Sequence, residues 1–152
     1  MFLLRLTPAS LVSTFFLAGR FPVAPGTFTS ALALILAFWL HGNTASYFLV
    51  TAGVIALGFL FSGEEERDSG RKDPGHIVID EVAGIFISFF FVPFSWSVAI
   101  TGFFLFRAFD MFKVPPADRF EKMGGSWGIM ADDIMAGIYT NIVLQIALRL
   151  VF

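Results

Sequence analysis

The sequence has no cysteine among its 152 residues. Thiol-based phosphatase chemistry, zinc–thiolate sites, iron–sulfur clusters and disulfide bonds are therefore all excluded. Charge is also scarce, because Asp, Glu, Lys and Arg make up only 14% of the residues, about half their usual share in soluble domains. The net charge of −2 argues against a basic nucleic-acid-binding protein. We therefore expect no nucleic acid among its partners.

Apolar residues fill most of the chain. They account for 57% of the sequence, aromatic residues for 17%, and phenylalanine alone occurs 21 times. A chain this short cannot bury so much apolar surface inside a water-soluble core, so the composition predicts an integral membrane protein. The length suits one domain covering residues 1–152.

The few charges are clustered, which leaves long uncharged stretches between them. Stretches without Asp, Glu, Lys or Arg cover residues 21–63, 82–106 and 134–148. A membrane-spanning helix needs about 20 apolar residues. The first stretch therefore predicts two helices, at about residues 28–40 and 45–61, with a turn at residues 41–43.

The remaining segments are read in the same way. Residues 82–106 predict either one crossing helix or a hairpin turning at residues 92–95, and Pro93 favours the hairpin or a sharp kink. Residues 134–152 are long enough to cross the membrane. Residues 8–18 predict a short helix that lies on the membrane or dips into it. Together these segments predict an all-α integral membrane bundle with short or hairpin helices and polar loops gathered on one face.

Acidic residues stand at the ends of three predicted membrane helices: Asp80, Glu81, Asp110, Asp132 and Asp133. Taken singly they have ordinary explanations, since acids stabilise helix N-termini and Asp110 has i,i+3 cationic neighbours in Arg107 and Lys113. Gathered at one membrane edge, however, they would repel one another unless they share a cation. Hard oxygen ligands without cysteine favour Mg²⁺ or Mn²⁺. We predict that these acids hold the metal and that one of them acts as nucleophile or general base.

Nearby polar residues could bind a phosphate group beside such a metal: Arg107, Lys113, Lys72, Thr27 and Ser30. Metal, carboxylates and cations at the lipid headgroup level favour phosphoryl chemistry on an anionic phospholipid. A small transporter or channel that binds ions with its helix-end acids is the alternative. The glycine-rich residues 124–128 are interpreted as a turn or backbone cradle before the last acids, and residues 64–66 as a solvated acidic face.

Four sequence blocks resemble the phosphatidylglycerophosphatase A family of bacterial membrane lipid phosphatases, in the family's order. They are Pro25-Gly26-Thr27 with Ser30; Asp73-Pro74 through Asp80-Glu81 to Gly84; Phe106-Arg107-x-Phe109-Asp110-x-x-Lys113; and Gly124-Gly125 through Gly128-Ile129-Met130-x-Asp132-Asp133. The resemblance implies Mg²⁺-dependent removal of the terminal phosphate from phosphatidylglycerol phosphate. It also implies an all-helical protein of the bacterial inner membrane.

The distribution of positive charge predicts the orientation of this multi-pass protein. Seven of the ten Lys and Arg residues lie in the loops around residues 67–72 and 107–122. Because loops rich in Lys and Arg stay in the cytoplasm, the face that carries the predicted site is expected to be cytoplasmic. The sequence gives no indication of the oligomeric state.

Overall fold

Seven α-helices and one 3₁₀ turn account for most of residues 6–151, the part of the chain that the computed structural model describes. The helices are α1 Pro8–Ser13, α2 Pro25–Leu40, α3 Thr44–Ser69, α4 Ile79–Ser88, α5 Trp96–Phe112, α6 Ala117–Glu121 and α7 Gly125–Val151, and the 3₁₀ turn is Ala18–Arg20. No strand occurs within residues 6–151. Helices α3 and α7 are long and apolar enough to cross a membrane, so the predicted all-α membrane fold is confirmed. Phe152, the last residue of the predicted final helix, lies outside the described residues.

The predicted pair of apolar helices is present, with a turn at residues 41–43. Helix α2 begins three residues earlier than predicted, at Pro25, a residue that suits the first turn of a helix. The side chain of Asn43 caps the start of α3 by accepting a hydrogen bond from the backbone N–H of Ser46. The helix ends at Ser69 and is followed by Gly70, whose φ is 70°. It runs eight residues beyond the predicted end because the following Glu and Arg residues are good helix formers.

Residues 82–106 form a hairpin rather than one crossing helix. Helix α4 ends at Ser88, and α5 begins only at Trp96, after a turn that contains Pro93. The hairpin returns the chain, so that Asp110 at the end of α5 lies beside Glu81 at the start of α4. The alternative of a single helix is therefore wrong.

Side chains from other helices satisfy the backbone where α4 ends. The last carbonyl groups of a helix have no partner within it, and leaving them bare in an apolar environment is costly. The hydroxyl of Tyr47 donates to the carbonyl of Phe86 at 2.6 Å. The amide of Asn141, on α7, lies within hydrogen-bonding distance of three more carbonyls: Ile87 at 3.1 Å, Ser88 at 3.2 Å and Phe90 at 2.8 Å.

Helices α4 and α7 cross in close contact through two glycines. A Cβ atom on Gly137 would lie 2.6 Å from the carbonyl oxygen of Gly84, and one on Gly84 would lie 2.9 Å from the carbonyl oxygen of Asp133. Both glycines therefore serve close helix packing, as expected from their positions beside the acids. This crossing brings the acidic residues of α4 next to those of α7.

The N-terminal segment is shorter in α-helix than predicted for residues 8–18. Helix α1 covers six residues, and Phe15, Phe16 and Leu17 then adopt positive φ angles before the 3₁₀ turn. The backbone N–H of Val78 donates to the carbonyl of Ser13 at 2.8 Å. This segment therefore packs against the loop that leads into α4.

Candidate active site

All five predicted acids meet at one end of the helical bundle. They form two groups, Asp80 with Asp132 and Asp133, and Glu81 with Asp110 and Asp133. Within each group, one carboxylate oxygen from every residue lies within 4.8 Å of the others. Asp133 belongs to both groups. The structure therefore places the predicted acids together, while their individual roles remain predictions.

Three helices supply these acids. Asp80 and Glu81 lie in the first turn of α4, and Asp110 lies in the last turn of α5, as expected. Asp132 and Asp133 do not open the last helix, because α7 already begins at Gly125. They lie two turns inside it, where they reach α4 and α5 from the side.

Most of the glycine-rich segment before these acids is helical rather than a separate turn. Gly125, with φ of 68°, is the first residue of α7, and residues 125–128 form its first turn. A Cβ atom on Gly128 would collide with the carbonyl oxygen of Met123. Glycine at position 128 therefore allows the start of α7 to pack against the preceding turn, so residues 125–128 are not the separate turn that was predicted, while a role of their backbone in binding remains a prediction.

Lys113 and Arg107 neutralise part of the acid cluster. The ammonium group of Lys113 lies 2.9 Å from Asp110 Oδ1, 2.6 Å from Asp132 Oδ2 and 3.8 Å from Asp133 Oδ1. A guanidinium nitrogen of Arg107 lies 2.9 Å from Asp110 Oδ2. Burial alone would lower the pKa of Lys113, but the charges of Asp133 and Asp110 outweigh it and hold that pKa above its ordinary value.

Three carboxylate oxygens at the cluster are buried without a hydrogen-bond partner among the described residues: Asp80 Oδ1, Glu81 Oε2 and Asp133 Oδ2. The residues Asp80 and Asp133 are only 6% and 1% exposed. A buried carboxylate oxygen without a partner is costly, and a hard cation bound by oxygen ligands would satisfy it. The residues present therefore fit a Mg²⁺ ion, which the sequence predicted as cofactor.

The start of α2 lies against the acids. A Cβ atom on Gly26 would be 2.6 Å from Glu81 Oε1 and 3.7 Å from a guanidinium nitrogen of Arg107. Thr27 is exposed in the first turn of α2. The hydroxyl of Ser30 is buried and donates to the carbonyl of Gly26 at 2.7 Å, so its proton is already used within its own helix.

Lys72 is exposed in the loop between α3 and α4, and it forms no ion pair within residues 6–151. The phosphate-binding roles of Arg107, Lys113, Lys72, Thr27 and Ser30 all remain predictions. Of these five residues, Arg107 and Lys113 contact the acid cluster directly.

Residues 64–66 are not a solvated acidic face, apart from the exposed Glu64. Glu65 is 6% exposed, and its Oε1 lies 2.8 Å from Nε2 of His76. Glu66 accepts hydrogen bonds from the backbone N–H of Asp73 at 2.8 Å and of Gly125 at 3.2 Å. The missed signal is the continuation of α3 through these acids, which turns two of them toward neighbouring segments.

Asp73 lies in the loop whose backbone is hydrogen-bonded to Glu66, and the charges of the acid cluster shift its pKa. The residue as a whole is exposed, yet crowding of its carboxyl group by protein atoms and the negative charges of Asp132 and Glu81 raise its pKa to about 6. The loop that begins α4 therefore adds a sixth carboxyl group to the electrostatics of this end of the bundle.

Comparison with known proteins gives consistent matches over nearly the whole chain. The family model for phosphatidylglycerophosphatase A matches residues 11–148. A phosphatidylglycerophosphatase A from Haemophilus influenzae is 36% identical over 143 residues, covering 91% of this chain and 88% of the relative. One from Escherichia coli is 34% identical over 142 residues, covering 90% and 81%.

A third relative has a different name. A protein from Bacteroides thetaiotaomicron, named provisionally as a phosphatidylinositol-3-phosphatase, is 35% identical over 153 residues, covering 90% of this chain and 91% of the relative. No solved structure matches the chain. All three names describe enzymes that remove phosphate from a phospholipid.

Proposed function

Since the chain belongs to the phosphatidylglycerophosphatase A family and is a phosphatase, we propose that it hydrolyses phosphatidylglycerol phosphate to phosphatidylglycerol and inorganic phosphate, with Mg²⁺ as cofactor. The observation that carries this proposal is the meeting of five carboxylates with Lys113 and Arg107 at one end of an apolar bundle. The alternative of an ion transporter is set aside, because the family is one of phosphatases.

In this proposal the acids hold the metal and the cations receive the phosphate. Asp80, Asp132 and Asp133 on one side, with Glu81 and Asp110 on the other, supply the oxygen ligands. When bound, Mg²⁺ withdraws charge from the phosphoryl group and makes water a better nucleophile. A carboxylate of the cluster would either accept a proton from the attacking water or attack phosphorus itself. In both cases the P–O bond to the glycerol oxygen breaks and this oxygen leaves with a proton; in the second case water then hydrolyses the acyl phosphate, which frees the carboxylate and inorganic phosphate.

Lys113 and Arg107 then have a defined task. Both are permanently charged at neutral pH, and each already contacts Asp110. The phosphate monoester carries up to two negative charges, so these cations offset its repulsion by the acids. The start of α2, whose first residues lie against Glu81 and Arg107, offers free backbone N–H groups to the phosphate oxygens.

The placement of the site suits a substrate that stays in the membrane. Helix α3 and helix α7 are each about 40 Å long at 1.5 Å per residue, and the acids lie near the polar end of both. A phospholipid whose headgroup lies at the membrane surface could therefore reach the acids without leaving the bilayer. We propose a multi-pass protein of the bacterial inner membrane with this end in the cytoplasm.

Phosphate release from a panel of lipids tests the proposal. The purified chain in detergent would be given phosphatidylglycerol phosphate, phosphatidylinositol 3-phosphate, phosphatidic acid and soluble glycerol 3-phosphate, each with Mg²⁺ or with EDTA. We expect fastest release from phosphatidylglycerol phosphate, only with Mg²⁺, and little from the soluble ester. Faster release from phosphatidylinositol 3-phosphate would reassign the substrate, and release in EDTA would refute the cofactor.

Asp133→Asn and Glu64→Gln are the matched variants for this assay. Asp133 is the acid common to both groups, whereas Glu64 is an exposed acid on α3 that forms no ion pair within residues 6–151. Loss of phosphate release in the first and not in the second assigns the activity to this site rather than to a contaminating phosphatase.

A further inference from the structure

Building on the proposed Mg²⁺-dependent function, we propose that the site binds two divalent cations, which share the carboxylate of Asp133. One cation would be held by Asp80, Asp132 and Asp133, and the other by Glu81, Asp110 and Asp133. The family resemblance implies a metal but not their number, so this inference rests on the arrangement of the acids.

The first argument is the distribution of oxygens without a partner. Asp80 Oδ1 belongs to one group, Glu81 Oε2 to the other, and Asp133 Oδ2 to the residue common to both. A single cation bound in the first group would leave Glu81 Oε2 buried without a partner. Two cations would bind Asp80 Oδ1 in one group and Glu81 Oε2 in the other, and they would also provide a partner for Asp133 Oδ2.

The second argument is charge. Metal binding requires deprotonated ligands, and the five carboxylates in that state would face two positive charges, those of Lys113 and Arg107, so three negative charges would remain uncompensated. A phosphate monoester would add up to two more. One divalent cation would leave the occupied site with three negative charges, whereas two reduce the excess to one. Two cations therefore bring the site with bound substrate close to neutrality, which one cation does not.

The third argument is the position of Lys113. Its ammonium group contacts Asp132 of the first group, Asp110 of the second and, at 3.8 Å, Oδ1 of the shared Asp133. The ammonium group therefore lies beside both groups, and it is near Asp133 Oδ1 and not near the unpartnered Oδ2. This leaves Asp133 Oδ2 for cations, and sites with two metal ions about 3.5–4 Å apart occur in phosphatases.

Titration with Mn²⁺, followed by electron paramagnetic resonance, tests this inference on the full chain in detergent. Mn²⁺ accepts the same hard oxygen ligands as Mg²⁺, and two Mn²⁺ ions bridged by a carboxylate couple magnetically, which broadens the six-line signal of an isolated ion. We expect two Mn²⁺ per chain and a coupled spectrum. One Mn²⁺ per chain, or two with uncoupled signals, would overturn the shared site.

Two variants test the groups separately. Asp80→Asn and Glu81→Gln should each reduce the stoichiometry from two to one and restore the signal of an isolated ion, while Glu64→Gln should retain two coupled ions. If one of the two variants fails to fold, the other tests the same claim from the opposite group. Retention of two coupled ions in a folded variant would contradict the assignment.

The same samples separate this inference from the proposed function. Mg²⁺-dependent phosphate release by a chain that binds one Mn²⁺ would end the two-cation proposal and leave the phosphatase proposal intact. Phosphate release that persists in EDTA would refute metal dependence, and with it the two-cation proposal, and would leave the assignment of the lipid substrate intact.

Discussion

Substitution of Asp80 or Asp133 is expected to change both turnover and thermal stability, because both side chains have a buried carboxylate oxygen without a partner among the described residues. Asp→Asn at either position keeps the size and removes the charge that a hard cation needs. We expect each variant to lose about 10²–10³-fold in turnover, as when a key electrostatic group is removed from an active site. In EDTA each variant should unfold at the same temperature as the parent or higher, because repulsion among clustered acids is relieved.

Phosphate release and thermal unfolding, measured on the same preparations, check this expectation. The control is Glu64→Gln, on the exposed side of α3; the neighbouring Glu65 is buried against His76 and would not serve. Full activity of both Asn variants at ordinary Mg²⁺ would rule out the carboxylate mechanism.

Glu66 gives a second prediction, since it joins the loop of Asp73 to the start of α7 through two backbone hydrogen bonds. Glu66→Gln weakens both bonds by removing the charge of the acceptor. Hydrogen bonds to charged groups contribute about 1.5–3 kcal/mol, so we expect a clear fall in the unfolding temperature. Glu64→Gln, two residues away, should stay within about 0.5 kcal/mol of the parent. Equal stability of the two variants would contradict a joining role for Glu66.

Asp73 predicts a pH dependence of stability. Its pKa in the folded protein is about 6, above the ordinary value of 3.8, so the folded state binds this proton more tightly than the unfolded state. Ionised Asp73 therefore destabilises the fold, with a cost that is absent below the ordinary value, grows as pH rises to about 6 and is constant above it. Asp73→Asn removes the cost, and its gain in unfolding temperature in EDTA should be largest above pH 6 and vanish near pH 4.

Asp68→Asn, at an exposed position near the end of α3, is the matched comparison for the pH series. Acids that do not interact with Asp73 titrate equally in parent and variant, so they cancel in the difference, whereas Asp132 and Glu81 interact with it and belong to the same effect. A curve of the same shape for Asp68→Asn would mean that the effect does not belong to Asp73.

The sequence predicted the acids of the site because a charged residue is conspicuous in an apolar chain. Asp80, Asp110 and Asp133 were found from that contrast alone, together with their cationic neighbours. Glu66 was missed because it acts through the backbone of distant residues, Asp73 and Gly125, a relation that no local spacing reveals. Ser30 was predicted to bind phosphate, but its hydroxyl donates to the carbonyl of Gly26. This hydrogen bond depends on the side-chain rotamer, which the sequence does not reveal.

At the scale of helices, the crossing of α4 and α7 sets the distance between the acids they carry. Gly137→Ala would place a methyl group 2.6 Å from the carbonyl oxygen of Gly84, which is backbone and cannot move aside. We expect lower stability and a loss of activity of up to about 10²-fold, the order expected when reacting groups shift by 1 Å. Thermal unfolding and phosphate release measure both effects.

Gly53 provides the control for this crossing. It lies inside α3, and a Cβ atom there meets nothing within 4 Å. Gly53→Ala should therefore leave activity unchanged and gain up to about 1 kcal/mol from helix propensity. If Gly137→Ala behaved like Gly53→Ala, the crossing would not be what positions the acids.

Helix boundaries were predictable only where the chain carries its own signals. The turn after α2 is local and was placed correctly at residues 41–43, where the structure adds that Asn43 caps α3. Pro93 favoured a hairpin at residues 82–106 from local sequence, but the hydrogen bonds that Tyr47 and Asn141 donate to carbonyls of α4 come from distant residues and were not predictable. The start of α7 at Gly125 was missed because glycines favour turns, and the reason for a glycine at position 128, the nearby backbone of Met123, is visible only in the structure.

For the whole molecule, the proposed orientation can be tested because the chain has no cysteine of its own. Asp68→Cys and Glu121→Cys place exposed thiols near the acid end, and Gly42→Cys places one at the opposite end of α2. A membrane-impermeant maleimide should label the first two only from the cytoplasm and Gly42→Cys only from outside. Labelling of Asp68→Cys and Glu121→Cys from opposite sides would contradict a shared face.

The amide of Asn141 lies 54 residues after the carbonyl of Ile87 that it satisfies. Helix α7, which carries Asn141, therefore follows the hairpin of α4 and α5 in the order of synthesis. The same late segment brings Asp132 and Asp133 to the waiting acids of α4 and α5. Helix α7 therefore supplies both the amide that satisfies carbonyls at the end of α4 and two of the five clustered acids, so both features depend on the docking of the same helix.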